Sequence, residues 1–244
     1  MIKGIIFDLE RTLLQFTGNW EATVQAGTGA MTGWYLHKKR IKHDAQALQE
    51  AFISERKAGR VLAYQTNQEV TATASLTEAL HKISAPKRMQ PLVSQALRAY
   101  FRPEELLWKP YADSVSVLQQ LKQAGYKLGL YANLTDDPFL QRIVNQSKLR
   151  PWLSPTFSSA MWGWRKPKTE PLAFIANRWQ LDPSEIVVVS GTIHTDIVGG
   201  KEAGMKTVLL THDEAASNDD HRHIAANAII PSLATLPAVI GALK

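Results

Sequence analysis

The sequence contains no cysteine. This absence excludes a disulfide framework, a thiolate nucleophile, cysteine-ligated zinc and iron–sulfur clusters. Long apolar runs are also missing: none approaches the roughly 20 residues that cross a bilayer. The first apolar run, at residues 5–7, ends at Asp8, which is too early for a signal peptide. We therefore expect a cytoplasmic protein without a membrane partner.

Charged residues are moderate in number, and positive ones are in excess. Of 244 residues, 20% are charged and 45% are hydrophobic, which excludes a disordered chain and allows a sizeable core. Lysine and arginine number 28 against 22 acidic residues, so the formal net charge is +6. This balance fits a nucleic acid, an acidic membrane surface, an anionic small molecule or solubility alone. The basic residues form no recognisable nucleic-acid motif, so we expect no nucleic-acid partner.

Short apolar runs predict the strands of a parallel sheet. Four runs rich in Ile, Val and Leu occur at residues 4–7, 127–131, 186–189 and 207–210. Continuous runs of this length are typical of strands that are covered on both faces. From about residue 111 they alternate with segments of helical period, two of which carry Pro138 and Pro171 in their first turns. The pattern predicts an α/β fold with a doubly wound, Rossmannoid parallel sheet.

Residues 16–101 depart from this alternation. The stretch is rich in Ala, Gln, Leu and Glu and contains no convincing strand. A helical insertion after the first strand is the economical interpretation. Residues 213–220 are notably polar and predict a surface loop.

The first segment that could carry catalytic residues directly follows the first predicted strand. Asp8 and Glu10 lie there at i and i+2, at the sheet edge where α/β proteins bind ligands. Two carboxyls at this spacing suit one nucleophile and one general acid/base. Taken alone, the pair is more typical of acids that cap the next turn.

Two further segments place polar groups after a strand or in a stiff turn. Asn133 follows the second predicted strand, where its amide can donate to an oxyanion or start the next turn. Lys166 precedes a proline, which biases its backbone to extended geometry. A positioned ammonium stabilises carboxylates and phosphoryl oxygens. As an isolated match, a solvated basic turn is the commoner explanation.

The fourth segment follows the predicted strand at residues 186–189. A Ser-Gly-Thr turn leads into a predicted helix with Asp196 in its first turn. Backbone N–H groups at such a turn can receive an anion, and Asp196 can approach a metal ion. The alternative is that Asp196 only stabilises the helix N-terminus.

Together and in this order, the four segments resemble the haloacid dehalogenase-like (HAD) hydrolase superfamily. The resemblance covers most of the chain and extends to the Ala203-Gly204-Met205 turn before the fourth strand. It implies a core domain formed by residues 1–15 and 105–244. It also implies that residues 16–104 form an α-helical cap domain.

The resemblance implies phosphoryl transfer through an aspartyl-phosphate. By position, Asp8 is the implied nucleophile and Glu10 the general acid/base. Lys166 would hold the nucleophile and the phosphate. The implied substrate-binding residues are Thr12, which would also brace the loop, Arg11 and Asn133.

The implied cofactor is Mg²⁺, held by Asp8, the Glu10 carbonyl and Asp196. Gly191, however, occupies the position of the usual metal-binding Asp. Because Mg²⁺ often takes only one or two carboxylates, losing one would greatly weaken the site.

Three other positions depart from the family pattern. Glu10 is one methylene longer than the usual Asp, which moves its carboxyl by roughly 1.5 Å, and misplacement of that size can cost on the order of 10²-fold in rate. Arg11 replaces a glycine. Ala132 replaces a Ser or Thr whose hydroxyl is worth about 10²–10³-fold, unless Asn133 substitutes for it.

Three functional hypotheses follow. A Mg²⁺-dependent phosphatase acting on a small phosphorylated metabolite fits the retained Asp8, Lys166 and Asp196, and the positive net charge fits an anionic substrate. A catalytically impaired member that binds a ligand or partner fits Gly191, Ala132 and Glu10. A dehalogenase-like hydrolase tolerates the lost metal ligand, because such enzymes use an Asp nucleophile without Mg²⁺. We favour the phosphatase; the sequence predicts no oligomeric state.

Overall fold

A computed structural model of the chain describes residues 1–211 and 225–243. The polar segment at 213–220, for which the sequence predicts a surface loop, lies outside the described residues. The strands of the described part are β1 (Gly4–Phe7), β2 (Leu14–Phe16), β3 (Trp108–Pro110), β4 (Lys127–Ala132), β5 (Thr156–Ser158), β6 (Ile186–Ser190), β7 (Lys206–Leu210) and β8 (Ala228–Ile230).

Helices connect these strands and fill the long segment between β2 and β3. The α-helices of the described part are α1 (Trp20–Gly33), α2 (Ala45–Thr66), α3 (Ala72–Lys82), α4 (Val93–Glu105), α5 (Ser114–Gln123), α6 (Asp137–Gln146), α7 (Ser159–Trp162), α8 (Glu170–Trp179), α9 (Val198–Glu202) and α10 (Leu236–Ala242).

The sheet has six parallel strands in the order β5-β4-β1-β6-β7-β8. All four residues of β1 and all five of β6 are buried, as expected for continuous apolar runs between helical layers. Pro138 and Pro171 lie in the first turns of α6 and α8. The predicted α/β fold with a parallel, Rossmann-like sheet is therefore confirmed.

The centre of the sheet is its topological switch point. Strand β1 lies between β4 and β6. Beyond β4 the sheet ends with β5, and beyond β6 it continues with β7 and β8. Phe7, the last residue of β1, is in register with both Leu130 and Val189. Ligands of open α/β sheets bind at such a point, beyond the carboxyl ends of the strands. Asp8 is the first residue past this edge.

Residues 16–105 contain four α-helices among the described residues, and α1 packs against α4 while α2 packs against α3. Side chains of Asn19, Asp44 and Thr71 cap the N-termini of α1, α2 and α3. The short antiparallel pair β2–β3 lies at the two ends of this helical segment. Although α2 has 22 residues, no helix among the described residues is both long and apolar enough to span a bilayer.

Candidate active site

The candidate active site is built around the ammonium group of Lys166. Lys166 Nζ lies 2.5 Å from Asp8 Oδ1 and 2.6 Å from Asp196 Oδ1, and it also donates to the carbonyl of Tyr131 at 3.1 Å. All three ionisable side chains are buried; the side chain of Lys166 is only 3% exposed. The structure thus brings together three predicted residues that are up to 188 positions apart, from Asp8 to Asp196.

The two carboxylates keep the buried lysine charged. Burial by itself lowers the pKa of Lys166, but Asp196 and Asp8 outweigh it, so the pKa is raised above its ordinary value. Burial and the neighbouring Asp8 raise the pKa of Asp196, while Lys166 opposes this rise. Thr195 Oγ1 donates to the second oxygen of Asp196 at 2.7 Å. The cluster is therefore a hydrogen-bonded carboxylate–ammonium–carboxylate unit.

Asn133 holds the backbone of Lys166. Its Oδ1 accepts from the Lys166 N–H at 2.9 Å, and its Nδ2 donates to the Lys166 carbonyl at 3.3 Å. The hydroxyl of Tyr131 donates to the carbonyl of Trp164, which fixes the same segment. The sequence prediction gave Asn133 a substrate-binding role. In this structure both ends of its amide bond to the backbone of Lys166, and its substrate-binding role stays a prediction.

Glu10 lines a cavity beside the cluster, which is described below. Although Glu10 stays accessible to solvent, partial burial in the cavity wall and the nearby Asp8 carboxylate raise the pKa of Glu10, with Arg11 and Lys166 opposing the rise. A raised pKa favours the protonated carboxyl, which is the form that a general acid needs. The acid/base role of Glu10 stays a prediction, and the direction of this shift is compatible with it.

Thr12 belongs to the loop and not to the cavity wall. It is fully buried; its hydroxyl donates to the Glu10 carbonyl at 3.2 Å and accepts from the Gly191 N–H at 3.1 Å. These bonds tie the loop after β1 to the turn after β6, which is the bracing role that the resemblance implies. Because the hydroxyl is buried and bonded to backbone, we assign Thr12 to the loop instead of to substrate binding.

A cavity of about 270 Å³ opens onto this cluster. We call it the core cavity. The predicted residues that line it are Asp8, Glu10, Arg11, Asn133, Lys166 and Asp196. Residues that the sequence prediction missed also line it: Tyr64, Trp108, Arg165, Thr192 and Thr195.

A second cavity of about 230 Å³ adjoins the first, and we call it the aromatic cavity. It lies between α2, α4 and the loop after β4. Arg56, Arg60 and Tyr64 reach it from one face of α2, and Glu104 reaches it from α4. Arg56, Arg60 and Tyr64 are spaced i, i+4 and i+8, and this spacing in the sequence places the three side chains on one face of a helix. Its aromatic lining consists of Phe16, Trp20, Tyr64, Phe101, Trp108 and Phe139.

The donor set does not fit a divalent metal ion well. Among residues 1–211 and 225–243, no group of three or more His, Cys, Asp or Glu side chains is placed to hold a metal. One oxygen of Asp8 and both oxygens of Asp196 already accept hydrogen bonds, and the Glu10 carbonyl accepts from Thr12. Mg²⁺ demands near-octahedral oxygen ligands. Phosphatases of the HAD type generally use Mg²⁺, but these residues do not form such a site.

The chain is thus an α/β protein that holds an aspartate, a buried lysine and a second aspartate at the switch point of its parallel sheet, where Asp8 is a candidate carboxylate nucleophile. The profile of haloacid dehalogenase-like hydrolases matches residues 2–204, and the chain belongs to this family.

Curated relatives and solved structures resemble this chain over nearly its full length. The chain is 23% identical over 232 residues to an N-acetylmuramic acid 6-phosphate phosphatase from Pseudomonas aeruginosa, covering 94% of this chain and 90% of the relative. It is also 23% identical to a glyceraldehyde 3-phosphate phosphatase from Methanothermobacter thermautotrophicus, covering 91% of each chain. A 2-haloacid dehalogenase structure from Pseudomonas syringae pv. Tomato superposes with a TM-score of 0.76 at 21% identity, covering both chains fully.

Proposed function

We propose that this chain hydrolyses a phosphate ester of a small anionic metabolite, with Asp8 as the nucleophile. The observation that carries the proposal is the Asp8–Lys166–Asp196 cluster, in which Lys166 Nζ lies 2.5 Å from Asp8 Oδ1 at the wall of the core cavity. The phosphatase names of the curated relatives support the same reaction class. The positive net charge of the chain suits an anionic substrate.

In the proposed reaction, a carboxylate oxygen of Asp8 attacks phosphorus, and the bond from phosphorus to the ester oxygen breaks. Glu10 donates its proton to the leaving oxygen, which departs as an alcohol. Glu10 then takes a proton from a water molecule as that water attacks phosphorus and releases Asp8 and inorganic phosphate. Lys166 orients Asp8 and offsets negative charge near the phosphoryl group, while Asp196 holds Lys166 in place.

We further propose that residues 16–104 act as a cap domain over a core formed by residues 1–15 and 105–244. The aromatic cavity supports this division, because α2 and α4 line one side of it and the loop after β4 lines the other. The reacting phosphoryl group would bind in the core cavity. The organic part of the substrate would extend towards Arg56, Arg60 and the aromatic side chains.

The test is a phosphate-release assay on a panel of esters, comparing the wild type with Asp8→Asn. The panel includes p-nitrophenyl phosphate and the phosphorylated compounds named for the relatives. Glu202→Gln is the control, because it also neutralises one acid but at an exposed position. We expect turnover that Asp8→Asn abolishes and Glu202→Gln leaves intact. Turnover that survives Asp8→Asn contradicts the proposal.

A second candidate is hydrolysis of a 2-haloacid. The observation that favours it is Gly191, which leaves the cluster without a third carboxylate for a metal ion. Asp8 would displace halide from carbon to form an ester, and water would then hydrolyse that ester. Halide release from 2-chloropropionate, without phosphate release from any ester, would favour this candidate.

A further inference from the structure

The loop after β1 and the turn after β6 approach each other too closely for a side chain at position 191. A Cβ atom at this position would lie 2.4 Å from the carbonyl oxygen of Arg11 and 3.1 Å from the Arg11 Cβ. Real Cβ atoms essentially never come this close to a backbone atom. The glycine at position 191 is therefore required by the path of the Arg11 backbone.

The Arg11 backbone is itself unusual. Arg11 has φ 55°, in the left-handed region that residues with a side chain seldom adopt. The hydrogen bonds of the buried Thr12 with Glu10 and Gly191 hold the loop in this position. The departures from the family pattern at residues 11 and 191 thus belong to one packed unit. Replacing Gly191 alone with Asp cannot recover a metal ligand, because the new side chain would meet the Arg11 carbonyl.

The charge that a metal would supply is already present. Lys166 contacts both carboxylates directly, and its ammonium is buried and held by Asp8, Asp196 and the carbonyl of Tyr131. Inserting a divalent ion between the carboxylates would place it against this ammonium without adding a third acid. The pair of carboxylates already has its counter-ion.

We propose that the site works without a divalent cation and uses Lys166 as its permanent positive charge. This inference concerns the same site as the proposed hydrolytic function, and its activity test rests on that function. The binding test below does not depend on any turnover. The two can therefore fail separately.

The binding test titrates the wild-type protein with Mn²⁺ and follows the free ion by electron paramagnetic resonance. We expect no saturable binding with a Kd below about 1 mM. Saturable binding that Asp8→Asn abolishes would overturn the proposal. A triple variant, Glu10→Asp with Arg11→Gly and Gly191→Asp, restores the family residues in all three positions, and we expect it to gain Mn²⁺ binding. If the triple variant does not fold, the wild-type titration still decides the question.

The activity test measures turnover of the best ester of the panel in EDTA and in excess Mg²⁺. We expect the two rates to agree within about twofold, since a catalytic metal contributes far more than this. A rate that EDTA abolishes and Mg²⁺ restores would overturn the proposal. If neither condition gives turnover, the proposed hydrolysis fails, while the Mn²⁺ titration still tests the metal site.

Discussion

The carboxylate of Glu69 accepts a 2.6 Å hydrogen bond from the guanidinium of Arg165, the residue that directly precedes Lys166. Around this ion pair the Glu69 N–H donates to the Gly163 carbonyl and the Arg165 N–H donates to the Asn67 carbonyl, both at 2.8 Å. The loop after α2 is thus attached to the segment that presents the lysine. This contact joins the helical segment to the segment that carries Lys166 of the Asp8–Lys166–Asp196 cluster.

We expect Glu69→Gln to destabilise the fold by roughly 3 kcal/mol, because it leaves a largely buried Arg165 without its counter-charge. Activity should fall as well, since the backbone of Lys166 follows directly. Urea denaturation and turnover measure the two effects. Glu55→Gln is the matched control: Glu55 pairs with an exposed Lys82, and the loss of such a solvent-screened pair should cost far less stability. Equal stability losses in the two variants would contradict the coupling.

Lys166→Met should lower turnover by about 10²–10³-fold or more, because it removes the cation between Asp8 and Asp196. Lys168→Met serves as the control, since that ammonium lies over the Trp164 ring and not in the cluster. Retained activity in Lys166→Met would show that Lys166 is not required for the reaction.

The same substitution should change the dependence of stability on pH. Without the ammonium, repulsion from Asp8 would raise the pKa of Asp196 further. The folded variant would then hold a proton that the unfolded chain releases above pH of about 4. Its free energy of unfolding should consequently fall relative to wild type as the pH rises from there. Denaturation at several pH values checks this slope.

Glu104 has the same kind of dependence in the wild type. It is buried and accepts from Trp108 Nε1 at 3.2 Å, and burial raises its pKa to about 7, with the hydrogen bond from Trp108 and the charge of Arg56 opposing the rise. Below the unfolded pKa of Glu, near 4.5, the carboxyl is neutral in both states and costs nothing. Between there and about pH 7 the unfolded chain loses its proton first, so stability falls.

Glu104→Gln remains neutral and keeps an acceptor for Trp108. We expect it to be more stable than wild type above pH 7, by up to about 3 kcal/mol, and the gain to shrink towards pH 5. Glu202→Gln, which neutralises an acid at an exposed position, is the control. A gain that does not depend on pH would mean that packing, and not the charge of Glu104, causes it.

The sequence predicted the four strands that have four or more residues, which are β1, β4, β6 and β7, and it missed the strands of three residues. The runs that became β1 and β6 are four and five buried residues long, and they are readily recognised. The strands β5 and β8 have three residues each and mix buried with partly exposed positions. A three-residue run carries no period, so only pairing with β4 or β7 defines it as a strand.

The sequence predicted which residues line the candidate site, but it did not predict which contacts they make with one another. Asp8, Lys166 and Asp196 each follow a recognisable strand or turn, and their order made the resemblance specific. The use of the Asn133 amide on the Lys166 backbone depends on side-chain packing, which no spacing reveals. The approach of Arg11 to Gly191 joins positions 180 residues apart. The sequence shows that both positions depart from the family pattern. Only the structure shows that the close approach of the Arg11 backbone to position 191 links the two departures.

That shared cause predicts coupling between positions 11 and 191. Gly191→Ala should destabilise the protein by about 1–3 kcal/mol, because its Cβ would meet a backbone oxygen that cannot rotate away. In an Arg11→Gly background the loop can shift and the contact with the Arg11 Cβ disappears, so the same substitution should cost at least about 0.5 kcal/mol less.

Gly29→Ala is the control, since no atom lies within 4 Å of a Cβ there and the change should stabilise α1 by up to roughly 1 kcal/mol. Urea denaturation of the wild type, the two single variants and the double variant gives the coupling energy. Additive effects would mean that the glycine at 191 and the left-handed arginine at 11 are independent, and the packing explanation for the missing metal ligand would then be wrong.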